Sequence, residues 1–142
     1  EMAPEERQEV THLLEFGERT AAGRMTTEFL AISGDDTVHA AIEALKTFEG
    51  GHEAVATIFL TGPDRQLIGA VPLVKIAVSS PMVPLAGIRD DVVACALDTP
   101  DAEVAALFDK YNLITLPVVD DHGRIAGIIT ADDVITMLRH RR

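Results

Sequence analysis

Thr130 and Asp133 are the two side chains whose type and spacing carry the clearest chemistry in this sequence. They stand in the run Gly127-Ile128-Ile129-Thr130-Ala131-Asp132-Asp133, between an apolar stretch, 125–129, and a helical pattern, 134–138. Such a run reads as a buried strand, a sharp junction and a helix start, with Thr130 as N-cap and Asp133 as the third helical residue. A hydroxyl, a carboxylate and free helical N–H groups then meet at one point, which can hold a polar ligand. The same spacing is also a capping box, in which the two side chains satisfy orphan N–H groups and bind nothing. The motif by itself leaves both readings open.

Catalytic chemistry finds less support. His12, His39, His52, His122 and His140 show no paired metal-ligand spacing. Cys95 lies in an apolar strand pattern, a poor setting for a thiolate nucleophile. Neither a phosphate-loop Gly-Lys-Ser/Thr nor a Gly-x-Ser-x-Gly occurs. Asp120-Asp121 and Asp132-Asp133 are adjacent acids at a turn and a helix start, and such neighbours rarely converge on one substrate bond. The chain is therefore expected not to be an enzyme.

Composition narrows the partners. With 142 residues, 47% of them hydrophobic, the chain can bury one sizeable core or two small units sharing one. Aromatics make up only 4%, so Val, Ile, Leu and Ala must do the packing. A net charge of -11 argues against nucleic acid, which needs basic patches. The cluster Arg139-His140-Arg141-Arg142 is too short to reverse that, and cations at a helix end complement its dipole. No apolar run approaches the roughly 20 residues of a membrane helix, and the N-terminus has no secretory signal. The lone Cys95 gives no disulfide framework and is consistent with a reducing, cytoplasmic compartment.

The elements that must position Thr130 and Asp133 repeat. Residues 4–16 read as a helix, with Pro4 near its start and Val10, Leu13, Leu14 and Phe16 on one stripe. Next come a strand over 29–32 and a helix capped by Thr37 that presents Val38, Ala41, Ile42, Leu45 and Phe48 and ends at Gly50-Gly51. Strands over 55–60 and 67–71 form a hairpin around Gly62-Pro63-Asp64, and a short helix covers 73–78. After a linker, 79–81, the order recurs. A strand spans 91–97, with Cys95 as a small core residue. A helix capped by Thr99, with Pro100 first, turns Val104, Leu107 and Phe108 inward. Strands over 116–119 and 125–129 flank an Asp120–Gly123 turn, and a helix covers 132–138. Gly69 matches Gly127, and Thr37 matches Thr99. The prediction is an α/β (α+β) fold of two βαββα units with pseudo-two-fold symmetry, an N-terminal helix before them, and clefts between their sheets.

This pattern resembles a CBS-domain pair, or Bateman module. The resemblance rests on the tandem βαββα order and on Leu116-Pro117-Val118-Val119-Asp120 followed by Gly123 to Thr130. It covers 21–138 and implies domains at 21–80 and 81–142, after a helix and linker at 1–20. Ala22-Gly23-Arg24-Met25-Thr26-Thr27-Glu28-Phe29 is further similar to the segment that joins the helical domain of MgtE-type magnesium transporters to their CBS pair. The resemblance implies a homodimer, an attached membrane transporter domain, and regulation by Mg²⁺ or by AMP, ADP or ATP at the cytoplasmic face of the membrane. A soluble CBS pair serving as a nucleotide sensor or dimerisation scaffold is the alternative, and a sensor attached to a metabolic enzyme is a third.

Carried over position by position, the resemblance gives Asp133 the two ribose hydroxyls and Thr130 a ribose or phosphate contact. The first repeat differs, with Pro72 in the hydroxyl's place and Lys75 in the carboxylate's. Lysine cannot accept a hydrogen bond from ribose, so that site is not expected to be a standard nucleotide site. Lys75 reads as a solvated surface charge, with a phosphate contact as its alternative. The family's acidic magnesium positions fall on Pro100, Ala102, Asn112 and Asp133, and only Asp133 keeps its carboxylate. Asp98 and Glu103 join it as candidate Mg²⁺ ligands, since one or two carboxylates suffice for an ion that keeps its waters.

Overall fold

The computed structural model describes residues 17–139. The expected helix over 4–16 and the residues 140–142 lie outside the described residues.

Two three-stranded sheets carry the fold. The first repeat runs β1 (Ala31–Ser33), α2 (Val38–Thr47), β2 (Thr57–Thr61), β3 (Leu67–Pro72) and α3 (Leu73–Val78), preceded by a short helix α1 (Ala21–Arg24). The second runs β4 (Cys95–Ala96), α4 (Asp101–Tyr111), β5 (Thr115–Val119), β6 (Ile125–Thr130) and α5 (Ala131–Arg139). In each sheet the first two strands are parallel and the last two antiparallel. The pairings Thr57 with Pro72 and Thr115 with Thr130, and Leu60 with Gly69 and Val118 with Gly127, superimpose the two repeats residue for residue. Pro72 thus stands where Thr130 stands, and Lys75, three residues on, where Asp133 stands. The hairpin tips meet through a Gln66–Arg124 bridge and an Arg124 Nε bond to the Asp64 carbonyl, 3.0 Å.

The core has three parts because strand side chains alternate. Ile58, Leu60, Val71 and Ile76 pack within the first repeat, and Leu116, Val118, Ile129 and Met137 within the second. Phe59, Ala70, Ile125 and Ile128 face the other way and join the two sheets. The repeats also exchange their lead-in segments. Ala21 and Ala22 are buried in the second repeat's core, while Leu85, in the short 3₁₀ helix Leu85–Ile88, is buried in the first repeat's. Both lead-ins then cross a strand. Thr26 and Ile128 exchange two backbone bonds, 2.8 and 2.9 Å, and Asp90 and Ala70 exchange two, 2.7 and 3.2 Å. That crossing explains Gly69 and Gly127. A Cβ at 127 would lie 2.8 Å from the Thr26 carbonyl oxygen and 2.5 Å from Met25 Sδ. Arg24 fixes the first lead-in to α4 through a two-bond pair with Asp101, 2.8 and 3.2 Å.

Several boundaries depart from the sequence reading. Thr99 does not cap α4: its hydroxyl accepts from Ala96 N–H at 3.1 Å and its carbonyl from Ala21 N–H at 2.8 Å, so Pro100 becomes the N-cap. Pro100, bridged to Thr20, therefore matches Thr37, bridged to Pro84. Thr37 does cap α2, accepting from Ala40 N–H at 3.3 Å. That helix ends at Thr47 rather than at the glycines, because Phe48 turns into extended backbone and packs against the inter-sheet core. The 91–97 strand shrinks to Cys95–Ala96, and 91–94 become an unpaired lead-in.

Candidate functional site

At the β6–α5 junction the capping box is made. The Thr130 N–H donates to Asp133 Oδ2 at 2.9 Å, and the Asp133 N–H donates to Thr130 Oγ1 at 3.3 Å. The Ala131 N–H is taken by the Ile114 carbonyl, 2.9 Å. Three of the donors that made this junction a ligand point are therefore already paired. Thr130 is buried and Asp133 half-buried.

A neighbour that the sequence did not reveal also faces this junction. The connection from α2 to β2 has nine residues, 48–56, against three, 112–114, from α4 to β5. The extra residues form a 3₁₀ turn, His52–Val55, whose Ala54 is buried with Ile125 and Ile128. Its Glu53 lies close enough to Asp132, Asp133 and Thr130 for all three to act on its ionisation. Burial raises the Glu53 pKa first, and the two aspartates add to the rise, while Thr130 opposes it. An anionic ligand would approach acidic side chains here.

The pseudo-equivalent corner of the first repeat is open. A cleft of about 390 Å³ lies there, within the usual ligand range of roughly 300–1,000 Å³. Ala56, Thr57 and Pro72 form its first-repeat wall, Leu113, Ile114 and Thr115 its second-repeat wall. The lead-in residues 90–93 close one side, and Tyr111 and Asn112 flank the opening. Asn112 holds left-handed backbone, φ 51°, where it ends α4. The walls are mainly apolar, with polar groups at the rim. Asp90 and Asp91 both line the cleft, and Lys75 Nζ lies 3.0 Å from Asp90 Oδ1. Such a slot suits a flat apolar or aromatic body carrying a polar end. Neither Thr130 nor Asp133 lines it.

The expected metal ligands are not gathered. Asp98 is exposed in the turn after β4, Glu103 is exposed on the first turn of α4, and Asp133 belongs to the capping box. Among the described residues no three His, Cys, Asp or Glu side chains come together as a metal would require. Cys95 is a core thiol; burial chiefly pushes its pKa up to about 11, so it carries no thiolate at neutral pH. No helix among the described residues is long and apolar enough to cross a membrane. The polar rim residues Asp90 and Asp91 escaped the sequence reading because no motif marks them, and Asn112 entered it only as a family magnesium position without its carboxylate. The signal that finds the cleft is the register of the two repeats.

Comparison with known proteins agrees with this geometry. The family model of the CBS domain matches residues 85–140. The magnesium transporter MgtE of Thermus thermophilus is 35% identical over 136 residues, 95% of this chain and 30% of the transporter. Among solved structures, the soluble part of a magnesium transporter superimposes with a TM-score of 0.87 at 27% identity, covering 97% of this chain and 54% of that one. The cytosolic domain of the Mg²⁺ channel MgtE in complex with ATP gives 0.86 at 34% identity, covering 95% and 55%. The chain thus spans about a third of the curated transporter and about half of the solved soluble parts.

Proposed function

Because this chain belongs to the CBS-domain family and is homologous to the cytosolic CBS region of MgtE, we propose that it is the ligand-sensing regulatory pair of an MgtE-type magnesium transporter, with an adenine nucleotide as its ligand. The observation that carries this reading is the 390 Å³ cleft, whose walls come from both repeats. An adenine ring suits its apolar walls, and the carboxylates of Asp90 and Asp91 suit ribose hydroxyls, which donate. A ligand touching both repeats favours one relative packing over others by its differential affinity, and an attached domain can read that bias. The role is regulatory, not catalytic, and the place is the cytoplasmic face of the membrane. The capping geometry and Glu53 favour this cleft over Thr130 and Asp133 for the nucleotide. Mg²⁺ would meet single carboxylates such as Asp98, Glu103 or Asp133 rather than a gathered set, and would keep most of its waters.

A specific observation favours a second reading, a dimerisation scaffold. The last helix of each repeat exposes apolar side chains: Val74 and Val78 on α3 are 71% and 81% exposed, and Ile135 and Leu138 on α5 are 48% and 47%. Large exposed apolar groups on a helix surface mark interaction surfaces, and a homodimer would cover them. Calorimetric titration with ATP, ADP, AMP and MgCl₂, each alone, separates the two. Saturable nucleotide binding that Asp91→Ala weakens supports the sensor. Heats at dilution level for every titrant, from a chain that sediments as a dimer, support the scaffold.

A further inference from the structure

Asp90 lines the cleft and pairs with Lys75, which stands just outside the lining, and the pair has no counterpart among the described residues of the second repeat, where Asp133 takes the place of Lys75. Asp90 is held firmly: its backbone exchanges two hydrogen bonds with Ala70. Its carboxylate brings the ammonium of Lys75 to 3.0 Å from a side chain that lines the cleft. Lys75 remains 40% exposed at its side chain and spends one hydrogen bond on Asp90. An ammonium has three donors, so two stay available to a ligand group that reaches the Asp90 side of the opening. The rest of the rim is neutral or acidic, with Asp91, Asn112 and Tyr111.

We propose that Lys75, anchored by Asp90, is the specificity residue of this cleft and selects phosphorylated nucleotides over the free nucleoside. The inference rests on the nucleotide reading of the cleft and adds its ligand class: a nucleoside whose phosphate reaches the rim and takes the free donors of Lys75. The lysine that unsuits the position for a ribose hydroxyl suits it for a phosphate oxygen. The ribose is left to Asp91, across the same opening.

The test is calorimetric titration of the 142-residue chain with ATP, ADP and adenosine in divalent-free buffer. It is run on the native chain, Lys75→Met, Lys75→Arg and the double variant Lys75→Met/Asp90→Asn, each checked for native circular dichroism. On the native chain ATP and ADP should bind on the order of tenfold or more tighter than adenosine, the scale of one hydrogen bond to a charged group. Lys75→Met should bring both nucleotides down to the adenosine level and leave adenosine unchanged, and Lys75→Arg should keep most of the preference. The double variant should stay weak, because the phosphate contact is gone whether or not Asp90 is neutralised. Equal affinity of the native chain for ATP and adenosine overturns the role of Lys75 and leaves the nucleotide site standing. Recovery of ATP affinity in the double variant also overturns it, since Lys75 would then act only by masking Asp90. Absence of binding by all three compounds overturns the nucleotide reading and this inference with it.

Discussion

Replacing Gly127 by alanine tests whether the lead-in segments fix the two repeats to one another. The new Cβ would meet Met25 Sδ at 2.5 Å, Met25 Cγ at 2.8 Å and the Thr26 carbonyl oxygen at 2.8 Å. The methionine can swing away, but the Thr26 oxygen belongs to backbone that exchanges two bonds with Ile128, at 2.8 and 2.9 Å. Relief requires that bridge to open. Overpacking of a tight site costs about 1–3 kcal/mol, and a lost hydrogen bond adds about 0.5–1.5 kcal/mol. Alanine recovers roughly 0.5–1 kcal/mol of the backbone entropy that glycine loses in a strand, which leaves a net loss of about 1–3 kcal/mol. At Gly69 the pseudo-equivalent Cβ meets Arg89 Cδ at 3.0 Å and the Asp90 carbonyl oxygen at 3.2 Å. Those contacts are milder, and one partner is the middle of a flexible side chain, so Gly69→Ala should cost about 1 kcal/mol or less. Urea denaturation followed by circular dichroism gives both values. Equal losses for the two variants, or a neutral Gly127→Ala, would refute the claim that the Thr26–Ile128 crossing is rigid.

Three further perturbations test the site description. Asp133→Ala removes one arm of the capping box and should lower stability by roughly 0.5–2 kcal/mol while leaving the ATP affinity measured by calorimetry unchanged; a fall in affinity would return the ligand to the β6–α5 junction. Burial first, and then Asp132 and Asp133, hold the Glu53 pKa above the usual carboxylate range in the folded state, so its contribution favours folding at acid pH and is lost as pH rises through the folded pKa. Glu53→Gln should therefore raise the melting temperature at pH 7 and have little effect near pH 4, a gain of about 0.5 kcal/mol or less for a half-buried group that solvent still screens; a gain at both pH values, or at neither, would show that Glu53 does not feel Asp132 and Asp133. Cys95, buried with its pKa near 11, should react with iodoacetamide at pH 7.5 at well under a tenth of the rate of the urea-unfolded chain, as mass spectrometry would show.

The sequence made the architecture legible because hydrophobic period and turn chemistry are local. Short apolar runs between turn residues marked β2 and β6, the helical period marked α2 and α5, and Gly123, at φ 77°, closed the second hairpin as its type demands. Thr37 was legible as a cap because a cap acts over three residues. Thr99 was misread for the complementary reason: its hydroxyl was claimed by Ala96 and its carbonyl by Ala21, a partner that only the folded chain brings near. The same limit hid the open cleft. Lys75 and Asp90 are fifteen residues apart, and their meeting depends on the lead-in crossing β3. Glu53 reaches Thr130 from a loop whose only sequence peculiarity is its length.

These departures share a cause. A repeat that merely duplicated would give two identical corners, each with a hydroxyl and a carboxylate at the start of its last helix. Here one corner keeps Thr130 and Asp133, but they bond each other and the His52–Val55 turn leans on them. The other has lost both groups to Pro72 and Lys75, yet the three-residue loop 112–114 leaves it open. The motif and the space have parted company. A ligand entering the open corner would push on residues 90–93, which run directly into β4 of the second repeat, and on Ala56 and Pro72 of the first. Occupancy would thus act across the inter-sheet core of Phe59, Ala70, Ile125 and Ile128 from one side only. On the nucleotide reading, a ligand at one corner only would favour one packing of the repeats over another by its differential affinity for the two.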